Sequence, residues 1–149
     1  MDQLAQSQRT VHNLIATYSD SHLNPVNEII HLICVPAIVM SALGLFWALH
    51  PLVAVAVALA ALVYYTMLSL PLAIGMLLMA GAMLGVLALL PIAVVLPLSI
   101  AVFVIAWIGQ FIGHRIEGKK PSFLDDLRFL LVGPLFVLGF LYRRFHIAY

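Results

Sequence analysis

His22 and His31 stand at the entrance to the first long apolar run of the chain, and His114 closes the last uncharged stretch. Ionisable side chains at the edge of a membrane core are costly to keep there, so each is a candidate for function. Three imidazoles brought together suit a metal ion such as zinc, copper, iron or nickel, and an open coordination position would make that ion catalytic. Other polar groups accompany them: Asn27 and Glu28 beside His31, and Gln110, Glu117 and Asp125 around His114. Asn27 and His31 are four apart and His114 and Glu117 three apart, so on a helix each pair shares a face. That spacing suits Asn27 for a supporting hydrogen bond to His31. Each histidine also has a plainer reading. His22 reads equally as an interfacial residue, His31 as a group bonding a neighbouring helix, and His114 as a basic residue favoured at a helix C-terminus. Glu117, Asp125 and Asp126 have the plainer reading of solvated loop charges.

Whether the histidines meet depends on the elements that carry them. The chain has 149 residues, of which 64% are hydrophobic and 9% charged, and no Asp, Glu, Lys or Arg occurs from Ile29 to His114. A soluble chain of this size cannot build a core large enough to hide so long a stretch. A bilayer can. The expected fold class is all-α, a polytopic membrane helical bundle forming one domain over 1–149. At roughly 20 residues per crossing, proline divides the stretch into four spans, about 29–49, 51–70, 71–90 and 91–113. Asn24 followed by Pro25 reads as an N-cap with proline in the first turn, so the first helix starts ahead of its span. Pro36 and Pro97 fall inside spans, which membrane helices tolerate. Gly75, Ala80, Gly81, Ala82 and Gly85 suggest close packing of the third span. Residues 129–142 are apolar but short for a crossing and are expected to form a re-entrant or interfacial segment. A crossing there would set Arg143 and Arg144 opposite Arg115, Lys119, Lys120 and Arg128, against the positive-inside tendency.

Four crossings return the chain to the side it left. The polar stretches before the first span and after the fourth then share one face, where His22, His31 and His114 converge, and this coincidence favours the metal over the three separate readings. Arg9 and the Arg115, Lys119, Lys120 cluster place that face in the cytoplasm. The same topology sends His50 to the opposite face and out of the site, and leaves His12 and His146 as surface or interfacial residues. Trp47, Trp107, Tyr64 and Tyr65 read as interfacial or packing aromatics. The basic cluster serves topology and membrane lipid headgroups, with capture of an anionic substrate as the lesser alternative.

Composition excludes other classes. A formal net charge of +1 without a basic stripe gives no nucleic-acid footprint. The lone Cys34 permits no intrachain disulfide. The amino-terminal stretch lacks an apolar signal-peptide core, so the first span is expected to act as the insertion signal. The alanine-rich, short-looped sequence leans toward a bacterial inner membrane over the endoplasmic reticulum.

The segment YSDSHLNPVNEIIHLICVP, from Tyr18 to Pro36, resembles the Y…H…NPxN…H…VP signature of the membrane-bound Fe(II)-dependent 2-hydroxy fatty acid dioxygenases. WIGQFIGH, from Trp107 to His114, followed by Lys119-Lys120-Pro121 and Leu124-Asp125, is similar to that family's second signature, and Tyr65 and Pro71 fit between them. The family is known from the endoplasmic reticulum of yeast and from bacteria. The resemblance implies α-oxidation, in which a 2-hydroxy fatty acid and O2 give a fatty acid one carbon shorter. It implies Fe(II) as cofactor, with His22, His31 and His114 as the iron-associated residues. Asn27 and Gln110 would then orient ligands, and Lys119 or Lys120 would steer the substrate carboxylate. Two other classes remain open on the residues alone: a haem-binding electron carrier using two histidines axially, and a non-catalytic scaffold or small transporter. A histidine-box di-iron enzyme is disfavoured, since three of the six histidines are poorly placed.

Overall fold

The computed structural model of the chain describes residue 13, residues 24–118 and residues 131–147. Among these residues every regular element is an α-helix. The helices are α1 (Pro25–Leu49), α2 (Pro51–Leu68), α3 (Leu70–Leu89), α4 (Ile92–Ile116) and α5 (Val132–Arg144). The first four are each long and apolar enough to cross a membrane.

Local chemistry explains where the helices begin and turn. Asn24 caps α1 in an extended conformation, its side-chain oxygen accepting the Val26 N–H at 2.9 Å, and Pro25 follows in the first turn. One residue, His50, separates α1 from α2. It is extended (φ −168°, ψ 135°), as the residue before a proline prefers, and its Nδ1 accepts the Leu52 N–H at 3.2 Å. Ser69 alone separates α2 from α3, two residues ahead of the proline that marks this boundary in the sequence. Both α1 and α4 run uninterrupted through their internal prolines, Pro36 and Pro97.

The corners stack the four long helices antiparallel, and two apolar clusters mark the two ends. At one end Leu43, Leu87 and Val95 pack together, drawn from the end of α1, the end of α3 and the start of α4. At the other, Tyr65 and Leu68 of α2 meet Leu72, Ala73 and Met76 of α3 and Leu135 and Leu138 of α5. The most extensive helix pairing is between α1 and α4.

At 13 residues, α5 is about 20 Å long, short of a hydrocarbon core of roughly 30 Å. Both of its ends are tied to the corner between α2 and α3. The Tyr65 hydroxyl donates to the Leu131 carbonyl at 2.8 Å, and the Tyr142 hydroxyl donates to the Pro71 carbonyl at 2.7 Å. Residues Val132 to Gly139 are buried. The short apolar segment therefore docks at one end of the bundle.

Candidate functional site

The start of α1 and the end of α4 lie side by side at the end of the bundle that also holds α5. On α1 the face toward α4 carries Asn27, His31 and Ile38, and on α4 the opposing face carries Ala106, Trp107, Gln110, Gly113 and His114; all are buried. Trp107 tilts against Phe103 and Phe111 in an aromatic layer beneath the polar residues, with Ile38 and Ala106 beside it. Polar side chains thus occupy the last two turns of the interface, and an apolar plug seals it below.

His31 is fully buried and His114 is 8% exposed. Their rings meet edge to face, with centroids 5.0 Å apart and planes at 79°. His31 Nδ1 lies 3.0 Å from the backbone carbonyl of Asn27. A carbonyl only accepts, so Nδ1 carries the proton, and in the neutral ring Nε2 holds the lone pair. This is the tautomer a metal-ligating histidine adopts when a backbone carbonyl orients it.

The expected bond between Asn27 and His31 is made, but by the backbone of Asn27. Its side chain does something else: Nδ2 donates to Glu117 Oε2 at 3.0 Å. The same carboxylate accepts the Asn24 backbone N–H, at 3.2 Å to one oxygen and 3.0 Å to the other. Glu117, directly after α4, therefore closes the amino terminus of α1, where a negative charge is favoured by the helix dipole. Of the two sequence readings of Glu117, site residue and solvated loop charge, the hydrogen bonds favour the first, as a strut between the two site segments. They also demonstrate that Asn24, at the start of α1, and Glu117, at the end of α4, are at the same end of the molecule.

Two glycines permit this approach. A β-carbon on Gly113 would collide with the Asn27 side-chain oxygen and lie 3.3 Å from Ile30, and one on Gly109 would lie 2.6 Å from Cys34 Sγ. Gly109 and Gly113 form a G-x-x-x-G pair, the small-residue spacing that lets membrane helices pack closely. That signal stands in the sequence, whereas the glycines expected to pack the third span behave differently. A β-carbon on Gly75 would collide with Tyr142 and press on Leu138, but β-carbons on Gly81 and Gly85 would meet nothing within 4 Å.

His31, His114, Asn27, Gln110 and Glu117 are thus brought together. His22, Lys119, Lys120 and Asp125 lie outside the described residues. Among the described residues no group of three or more His, Cys, Asp or Glu side chains gathers around one point. The donor set that is described, two buried imidazoles with one tautomer fixed by a carbonyl, fits an imidazole-binding metal, iron included. His50 caps α2 at the far end, apart from the site, one full helix length from the start of α1.

Fold and site together define a four-helix, membrane-type bundle with a buried histidine pair where the first and fourth helices meet. The chain belongs to the family described as 2-hydroxy-palmitic acid dioxygenase Mpo1-like, whose model matches residues 8–145. It is 31% identical over 131 residues to the 2-hydroxy-palmitic acid dioxygenase MPO1 of Saccharomyces cerevisiae, a match covering 81% of this chain and 73% of that protein. No solved structure matches the chain. The family resemblance carried by the two signatures is therefore correct.

Proposed function

We propose that this chain is an Fe(II)-dependent dioxygenase of 2-hydroxy fatty acids, working at the cytoplasmic face of its membrane. The overall reaction balances when one O2 is consumed, the carboxyl carbon leaves as CO2, one water forms, and the former 2-carbon becomes the new carboxyl. The observation that carries the reading is the edge-to-face pair of buried His31 and His114, set in a chain of this family.

His31 and His114 would hold the iron, joined by His22. Iron so bound supplies the reactivity toward O2 that organic side chains lack. The protein's own groups do the rest. The Asn27 carbonyl orients His31 through Nδ1, and Glu117 fixes Asn27 in turn. Gln110, one turn before His114 on the same face and 4% exposed, offers an amide that both donates and accepts to the substrate's carboxylate and 2-hydroxyl. Lys119 and Lys120 would steer the anionic head toward the site. The aromatic layer of Trp107, Phe103 and Phe111 keeps water from following the substrate inward. A membrane setting suits such a substrate, whose head sits at the interface and whose tail is at home in hydrocarbon.

The test is turnover by the detergent-purified protein, prepared anaerobically and supplied with Fe(II). On mixing with 2-hydroxypalmitate and O2, pentadecanoic acid and CO2 should appear in equal amounts, with matching O2 uptake. No product with a Soret absorbance in the purified protein would replace this reading with a haem-bound electron carrier. No product and no bound metal would leave a scaffold or transporter.

A further inference from the structure

We propose that the apolar cleft between α1, α2, α3 and α5 holds the acyl chain of the substrate, and that Gly81 sets how long a chain it accepts. The proposal rests on the substrate being a 2-hydroxy fatty acid. The cleft has a volume of about 200 Å³, larger than apolar cavities of about 150 Å³ that stay dry and take up benzene. Its walls are almost wholly hydrocarbon, and small side chains provide the room: Ala42 on α1, Ala58 and Ala61 on α2, Ala80 and Gly81 on α3.

Alignment with His31 along one face of α1 identifies the occupant. His31, Val35, Val39, Ala42 and Phe46 recur at intervals of four and three, so they form one stripe along α1. His31 and Val35 are buried, and Val39, Ala42 and Phe46 line the cleft. The cleft therefore lies directly below His31 along the helix, from about 12 Å at Val39 to about 22 Å at Phe46. At the end nearer the site it is roofed by Tyr65, Leu131 and Pro134, and the hydrogen bond from Tyr65 to the Leu131 carbonyl pins that roof. A molecule with its polar head at His31 and His114 has in this cleft a slot for a tail of long-chain length. Shorter tails end before reaching the small residues of α3.

Gly81 is the place to shorten the slot. A β-carbon there meets nothing within 4 Å, so Gly81→Leu fills space without pushing a neighbour. Gly85, one turn further on the same helix, is equally open and does not line the cleft, which makes Gly85→Leu the control. In Gly81→Leu the ratio of activity on 2-hydroxypalmitate to that on 2-hydroxyoctanoate should fall about tenfold, because the leucine takes the room that only the longer tail reaches. Gly85→Leu should leave the ratio within about twofold of the parent, the size expected of an exposed site. A second measurement does not depend on turnover. An analogue of 2-hydroxypalmitate carrying a diazirine at its methyl end is photolysed on the purified protein, and the labelled peptides are identified by mass spectrometry. Label confined to residues 39–46 and 76–84, and displaced by 2-hydroxypalmitate, supports the cleft even if no turnover is found. Label spread evenly over the outer faces of the helices, or a chain-length ratio that Gly81→Leu leaves unchanged in an active enzyme, overturns the cleft while the dioxygenase reading stands.

Discussion

At the scale of single residues, the site is built by indirect support. His31 is oriented by a backbone carbonyl, and the residue owning that carbonyl is held by a carboxylate 90 residues further along the chain. Glu117→Ala should cost about 1–3 kcal/mol, because it removes an ionised acceptor from the Asn24 N–H and the Asn27 amide together. Asn27→Ala should cost a similar amount, and the double variant should be less destabilised than the sum by about 1 kcal/mol, the coupling of a direct partner pair. Thermal unfolding in detergent reads all three, and full additivity would show that the pair does not act as a unit. The chemistry of this cluster was largely legible: the four-residue spacing of Asn27 and His31 and the three-residue spacing of His114 and Glu117 announce shared faces. What spacing within one helix cannot give is the partner across helices. Hence the Asn27 side chain was assigned to His31 when it bonds Glu117, and Glu117, placed in the site by its spacing from His114, had no named partner there.

At the scale of elements, the α1–α4 contact decides whether the histidines meet. Gly113 leaves room for Asn27, so Gly113→Ala should destabilise the protein by about 1–3 kcal/mol and weaken metal binding with it. Gly85→Ala, at an open position on α3, should gain up to about 1 kcal/mol from helix propensity. Equal effects at the two glycines would show that close approach of α1 and α4 is not what Gly113 provides. Docking of α5 has a separate handle. Tyr65→Phe deletes the hydrogen bond to the Leu131 carbonyl and should cost about 1 kcal/mol, visible as faster amide exchange at residues 132–139. Unchanged exchange there would assign α5 docking to apolar packing alone. The helices themselves were plain from the sequence, because long uncharged runs cut by proline leave few alternatives. Their packing was less so. The small residues of α3 were expected to pack closely and the Gly109–Gly113 pair of α4 was passed over, because only the opposing surface distinguishes them: α4 faces Asn27, Ile30 and Cys34, while part of α3 faces the open cleft.

At the scale of the whole molecule, the even number of long helices brings residue 24 and residue 117 to one end, a conclusion the Asn24–Glu117 hydrogen bonds make directly. Four helices of membrane-crossing length also set His50 at the other end. In a Cys34→Ser background, Arg115→Cys should react with an impermeant thiol reagent from the cytoplasmic side only, and His50→Cys from the opposite side only. Labelling of both from one side would contradict four crossings. The four long helices were readable from hydropathy alone, since a run without a formal charge from Ile29 to His114 has to be folded into bilayer-length pieces. The cleft was not, because a cavity depends on which small residues are left uncovered, and no periodicity within a single helix records that. The most direct test of the histidine site is the iron content of anaerobically prepared protein, measured by elemental analysis. About one iron per chain, lost in both His31→Ala and His114→Ala although each variant still folds, is the result expected here. Iron retained in both variants, or a parent protein that cannot be loaded with Fe(II), would contradict it.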